Sequence, residues 1–169
     1  WGADLFVSIH ANSATSSVRG TECYTHPTAN TATKTLSGNV SRAIANKFGI
    51  SNRGHKEANF AVLRLSNMPS ILVETAFISN SSDANLLNTR QSDFANAIFN
   101  EIYNYFGNPV TNISLINELA SLAVRYCSMN SLLGIKSINK CILDYLRHVR
   151  YDDSEWKIVV GDISPFVEY

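Results

Sequence analysis

Two stretches of the chain end an apolar run with side chains capable of chemistry. Asp4–Asn12, DLFVSIHAN, opens with Leu5-Phe6-Val7 and then presents Ser8, His10 and Asn12. Met68–Asn80, MPSILVETAFISN, carries Ile71-Leu72-Val73 and then, directly, Glu74. An imidazole can ligate a metal or act as a base. A carboxylate straight after an apolar strand is costly to bury unless it is paired or working. Alone, His10 reads more often as an ordinary core or rim histidine, and Glu74 as a salt-bridge or helix-end charge. Together, on two parallel strands, they would aim at one cleft, since chemistry in open α/β sheets sits outside the carboxyl ends of strands. A metal ligand beside a general base is the minimum for metal-assisted hydrolysis.

The elements that would position these residues follow from pattern. Asp4–His10 reads as a strand, Ser13–Val18 as a small-polar loop, and Arg19–Tyr24 as a second strand, edge or antiparallel. Thr31–Phe48 reads as an amphipathic helix with Leu36, Val40, Ile44 and Phe48 on one stripe, ended by Gly49. Asn52-Arg53-Gly54 reads as a turn, and His55, Lys56 and Glu57 as a solvated charged patch. Asn59–Arg64, with Phe60, Val62 and Leu63, is predicted as the third strand and Ile71–Val73 as part of the fourth. From Asp83 a helical stretch, broken or continuous, runs to Phe106-Gly107 with Phe94, Ile98, Ile102 and Tyr105 inward. The fold class is therefore α/β, with a mixed or parallel sheet and helices on its faces.

At these residues a family resemblance appears. DLFVSIHAN, RGTECY (Arg19–Tyr24), NRGHKEANFAVLR (Asn52–Arg64) and MPSILVETAFISN with Asp83 and Leu86-Leu87 resemble, in order and spacing, the zinc-dependent N-acetylmuramoyl-L-alanine amidases of type 3. These are peptidoglycan amidases of bacterial walls and phage lysins, and the resemblance covers residues 1–106. It implies a three-layer α/β amidase domain whose zinc is held by His, Glu and His while a further Glu acts in catalysis. His10 matches the second ligand histidine and Glu74 the catalytic glutamate. The segment with the first His and the ligand Glu is expected before Trp1, so the chain as given is expected to bind zinc weakly. Asn12 is divided evenly between a substrate-binding or supporting role and turn formation. The implied reaction is zinc-assisted cleavage of the amide between N-acetylmuramic acid and L-alanine of the stem peptide, outside the cell, at the wall or during phage lysis. The alternative is a non-catalytic wall-binding module on a degraded amidase scaffold; a Glu kept at the strand end beside His10 argues for the enzyme.

Composition bounds the rest. The 169 residues are 45% hydrophobic and 17% charged, with zero net charge, enough to bury a core. Zero charge removes a general electrostatic case for nucleic acid or anionic membranes, and no apolar run approaches a membrane span. Cys23, Cys127 and Cys141 match no zinc ribbon. His26 precedes Pro27 and reads as a turn residue. The domains expected are the C-terminal part of a catalytic domain at 1–107, a linker at 108–112 and a small mainly helical accessory region at 113–169. In that last region Asp153-Ser154 reads as a helix cap before Trp156, Ile158 and Val159. Its Tyr145, Arg147, Tyr151 and Trp156 would either stack on sugars or fill a helical core. Oligomeric state is left open by the sequence.

Overall fold

A computed structural model describes residues 3–107 and the backbone of Ile158–Gly161. The chain runs β1 (Leu5–Asn12), β2 (Thr21–Thr25), α1 (Thr31–Phe48), β3 (Asn52–Glu57), α2 (Ala61–Arg64), β4 (Ser70–Phe77), α3 (Ser81–Thr89), α4 (Gln91–Tyr105) and β5 (Ile158–Gly161). One mixed sheet takes the order β3-β2-β4-β1-β5. β1 is parallel to β4 and β5, β2 is parallel to β3, and β2 is antiparallel to β4.

Alternation along the strands separates core from chemistry. Leu5, Val7 and Ile9 of β1, Cys23 of β2, and Ile71 and Val73 of β4 join one apolar cluster with α1 and α4. From α1 come Leu36, Val40 and Ile44; from α4, Phe94, Ile98 and Ile102, as their helical spacing predicts. Phe48 stacks on Phe94 with ring centroids 4.0 Å apart, locking the two helices together. Asn30 caps α1 by accepting from the Thr33 amide, and Gly49 ends it at φ +63. On the other sheet face α2 lies against β4, and Phe60 packs edge-on to Tyr24.

Three expectations change. The segment Asn59–Arg64 is not a strand: Phe60 opens the short helix α2, and Leu63 is its buried residue. A short apolar run carries no period long enough to separate the two states. The third strand is instead Asn52–Glu57, read above as turn and solvated patch. It is polar because it is the sheet's edge, where charged side chains are the rule. Ile158 and Val159 belong to a strand beside β1, not to a capped helix, consistent with their β-branching. The linker at 108–112 and the rest of 113–169, including Cys127, Cys141 and Trp156, lie outside the described residues. The helical stretch after Asp83 is broken at Arg90.

Two features fix where β2 begins. Asp83 is fully buried in the first turn of α3 and accepts from the Gly20 amide (2.8 Å) and the Phe77 amide (3.1 Å). It thereby ties the start of β2 to the end of β4. Gly20 has φ +113, and a Cβ there would stand 2.4 Å from the Ser51 carbonyl oxygen, so only glycine fits.

Candidate active site

The site lies on the sheet face away from α1 and α4, at the carboxyl ends of β1 and β4. His10 and Glu74 are direct partners in the β1–β4 ladder, so their side chains emerge side by side. The two sequence stretches therefore converge as expected. His10 is nearly buried, and its Nε2 lies 2.8 Å from Ser8 Oγ, two residues back on the same face. That contact fixes the ring, and a hydroxyl can serve either tautomer.

Glu74 is partly buried, and its Oε2 is a buried atom with no hydrogen-bond partner among the described residues. Burial, followed by the nearby negative charge of Glu22, pushes its carboxyl up to about 7. A carboxyl poised near neutrality can both take and return a proton.

On the far side of Glu74 stands Glu22, its direct partner across β2–β4. Its Oε1 accepts from Asn12 Nδ2 (2.8 Å) and Tyr24 Oη (2.7 Å). Its Oε2 accepts from Arg53 Nε (2.6 Å) and Lys56 Nζ (2.5 Å). Burial alone would raise Glu22, but the bonds from Lys56, Arg53 and Tyr24 outweigh it and hold the carboxylate at about 2. Burial and the same carboxylate push the Tyr24 phenol up. Asn12 thus joins the site through Glu22, while its Oδ1 accepts from the Ser13 amide.

Glu22, Arg53 and Lys56 were missed by sequence reasoning, although RGTECY was noted. The signal was present: a Glu between Thr21 and Cys23 in a strand is as costly as Glu74 and needs the same explanation. Arg53 and Lys56 were hidden by assigning their strand to a loop.

The other histidines stay apart. His26 follows the opposite end of β2 and contacts Thr28 Oγ1 (2.7 Å) and Asn59 Oδ1 (3.3 Å). His55 contacts Thr25 Oγ1 at 2.9 Å. Cys23 is buried on the helix side, where burial pushes its thiol up to about 12. Among the described residues no group of three or more His, Cys, Asp or Glu is placed to hold a metal ion. The donors at the site, an imidazole beside a carboxylate oxygen without a partner, suit zinc in kind. A catalytic zinc takes three protein ligands, so the described residues supply only part of such a set.

Comparisons with known proteins point to one family. A family model described as N-acetylmuramoyl-L-alanine amidase matches residues 1–104. The chain is 48% identical over 87 residues to the N-acetylmuramoyl-L-alanine amidase LytC of Bacillus subtilis, covering 50% of this chain and 18% of that protein. It is 43% identical over 89 residues to the sporulation-specific N-acetylmuramoyl-L-alanine amidase of the same organism, covering 53% of this chain and 34% of that one. Among solved structures it resembles the N-acetylmuramoyl-L-alanine amidase from Clostridium difficile, with a TM-score of 0.58 and 33% identity, over 62% of this chain and 59% of that one. The chain spans between about a fifth and a half of the length of the curated relatives it matches. With well over half of its length inside the family match, and a fold shared with a solved amidase, this chain belongs to the N-acetylmuramoyl-L-alanine amidase family.

Proposed function

We propose that the protein hydrolyses the amide between N-acetylmuramic acid and L-alanine of the peptidoglycan stem peptide, at the cell wall or outside the cell. The observation that carries this is the pairing of His10 with Glu74, whose buried Oε2 has no partner among the described residues. A structural carboxylate would be hydrogen-bonded; one left unpaired beside an imidazole is available to a water or a substrate.

In this reading His10 is a zinc ligand, oriented by Ser8 through the 2.8 Å contact at Nε2. Zinc, when bound, would polarise the amide carbonyl and acidify the attacking water. Glu74 takes the water's proton at Oε2 and passes it to the leaving amine of L-alanine. Its carboxyl, raised toward 7, suits both transfers. Asn12, at the rim of the site, keeps a second Nδ2 hydrogen for the substrate while the first is spent on Glu22.

The experiment is product analysis. The full-length protein with zinc, given purified peptidoglycan, should release peptides with a new N-terminal alanine and leave glycan strands uncut. New reducing ends, or termini at other peptide positions, would assign a different hydrolase. Binding without any cleavage would favour a wall-binding module.

A further inference from the structure

We infer that Arg53, with Lys56 beside it on β3, forms a subsite for a carboxylate of the substrate's peptide, held ready by Glu22. This deepens the amidase reading and rests on it.

Glu22 is the anchor. Asn12 and Tyr24 fill its Oε1, while Arg53 and Lys56 share its Oε2. One negative charge therefore meets two positive ones, and the cluster keeps a net charge of about +1 by this count. Neither cation is spent. Arg53 uses only its Nε on Glu22, and its guanidinium lies over the Phe77 ring, 5.1 Å from the centroid. Both Nη groups are left without an acceptor among the described residues. Lys56 uses one of its three donors on Glu22 and stands 5.8 Å from the Tyr24 ring centroid. The two side chains remain 36% and 37% exposed.

This is a preorganised fork. A guanidinium held at Nε and stacked on an aromatic face loses little freedom when its Nη groups meet a carboxylate. Such a bidentate pair is specific for a planar anion.

Its place in the sheet selects the ligand. Across the face the order is His10 on β1, Glu74 on β4, Glu22 on β2, then Arg53 and Lys56 on β3. Phe77, beneath the guanidinium, lies three residues past Glu74 on the same strand. The charged ends of Arg53 and Lys56 meet at Glu22, the direct cross-strand partner of Glu74, one strand spacing or roughly 5 Å away. That is the reach of roughly one to two residues of extended peptide beyond the bond being cut. A cation at the reacting carbonyl would have to stand beside Glu74; these stand one subsite away, along the peptide.

The test uses pairs of muramyl peptides identical except that the carboxylate one to two residues from the scissile amide is free or converted to a carboxamide. The full-length protein should prefer the free acid by about tenfold or more in kcat/KM, an ordinary value for a charged hydrogen-bonded pair. In Arg53→Gln the acid-to-amide ratio should fall toward one, through a rise in KM for the acid. Arg53→Lys retains the ion pair with Glu22, and so the fold, but loses the fork; its ratio should fall part of the way. Lys56→Gln should lower it further in combination. A ratio near one in the unaltered protein, or one that survives Arg53→Gln, overturns the subsite. Should the protein cleave neither peptide, the amidase reading fails, and calorimetry with the corresponding free peptides decides the subsite separately. Acid bound over amide, with the difference lost in Arg53→Gln, supports it; no discrimination overturns it.

Discussion

Glu22 and Glu74 face each other directly across the β2–β4 pair, and their surroundings charge them in opposite ways. Glu22, bonded by Lys56, Arg53 and Tyr24, is held near 2; Glu74, buried beside it with an unpartnered oxygen, is pushed to about 7. The pair thus holds separated proton affinities: Glu22 stays charged, while Glu74 is able to gain or lose a proton near neutral pH.

His10 and Glu74 should fail differently. In the full-length protein, His10→Ala removes a ligand, so zinc content and activity should drop together. Glu74→Gln should keep zinc while turnover falls about 10²–10⁴-fold, the range for loss of a general base. Metal analysis and amide cleavage on the same two preparations check this. Near-normal turnover in Glu74→Gln would make that residue structural.

Glu74 should also make the metal-free protein's stability depend on pH. Its folded value, about 7, lies above the ordinary 4.5. The folded state therefore holds a proton that the unfolded chain releases. The contribution is fully present below pH 4.5, is lost as pH rises toward 7, and amounts to about 1–3 kcal/mol. Urea unfolding with chelator at pH 5 and pH 8 should show this loss, and Glu74→Gln should remove it.

Replacing Glu22 should act on stability and on its neighbour. Its folded value lies below its ordinary one, so its contribution is present above pH 4.5 and fades as pH falls toward 2. Glu22→Gln should cost about 1–2 kcal/mol at neutral pH, a modest figure because Arg53 and Lys56 are partly solvated. The negative neighbour of Glu74 is also gone, so its titration should move to lower pH. Carboxyl resonances followed by NMR in metal-free protein check the direction.

Asp83 should prove structurally indispensable to the site. Asp83→Ala leaves the Gly20 and Phe77 amides buried without an acceptor, at about 2–4 kcal/mol. Because those amides join the start of β2 to the end of β4, hydrogen exchange should quicken at both strand ends, next to Glu22 and Glu74. Exchange confined to α3 would show that the carboxylate serves its own helix alone.

The site was half legible in the sequence. His10 and Glu74 could be found because each ends an apolar strand, where an unexplained polar residue stands out. The stripes of α1 and α4 were legible through their period and, for α1, through Gly49 at its C-terminal end. What escaped was β3. An edge strand buries little, so Asn52–Glu57 carries no apolar alternation, and its charges looked like those of a solvated loop. With β3 went Arg53 and Lys56, and with them the reason for Glu22. The strand nature of Ile158–Gly161 was obscured in the same way, by its neighbours rather than by its own β-branched residues.

The seating of β5 against β1 has a practical side. β1 carries an apolar run, and β5 occupies the ladder edge that β4 does not. A recombinant fragment cut at the proposed junction near 108–112 would strip that edge and leave an unpaired apolar strand open to strands of other molecules. Such a fragment should accumulate as insoluble β-rich material at concentrations where the chain retaining Ile158–Gly161 stays in solution. Boundaries for expression belong beyond the last strand of the sheet, not at the first break in the helices.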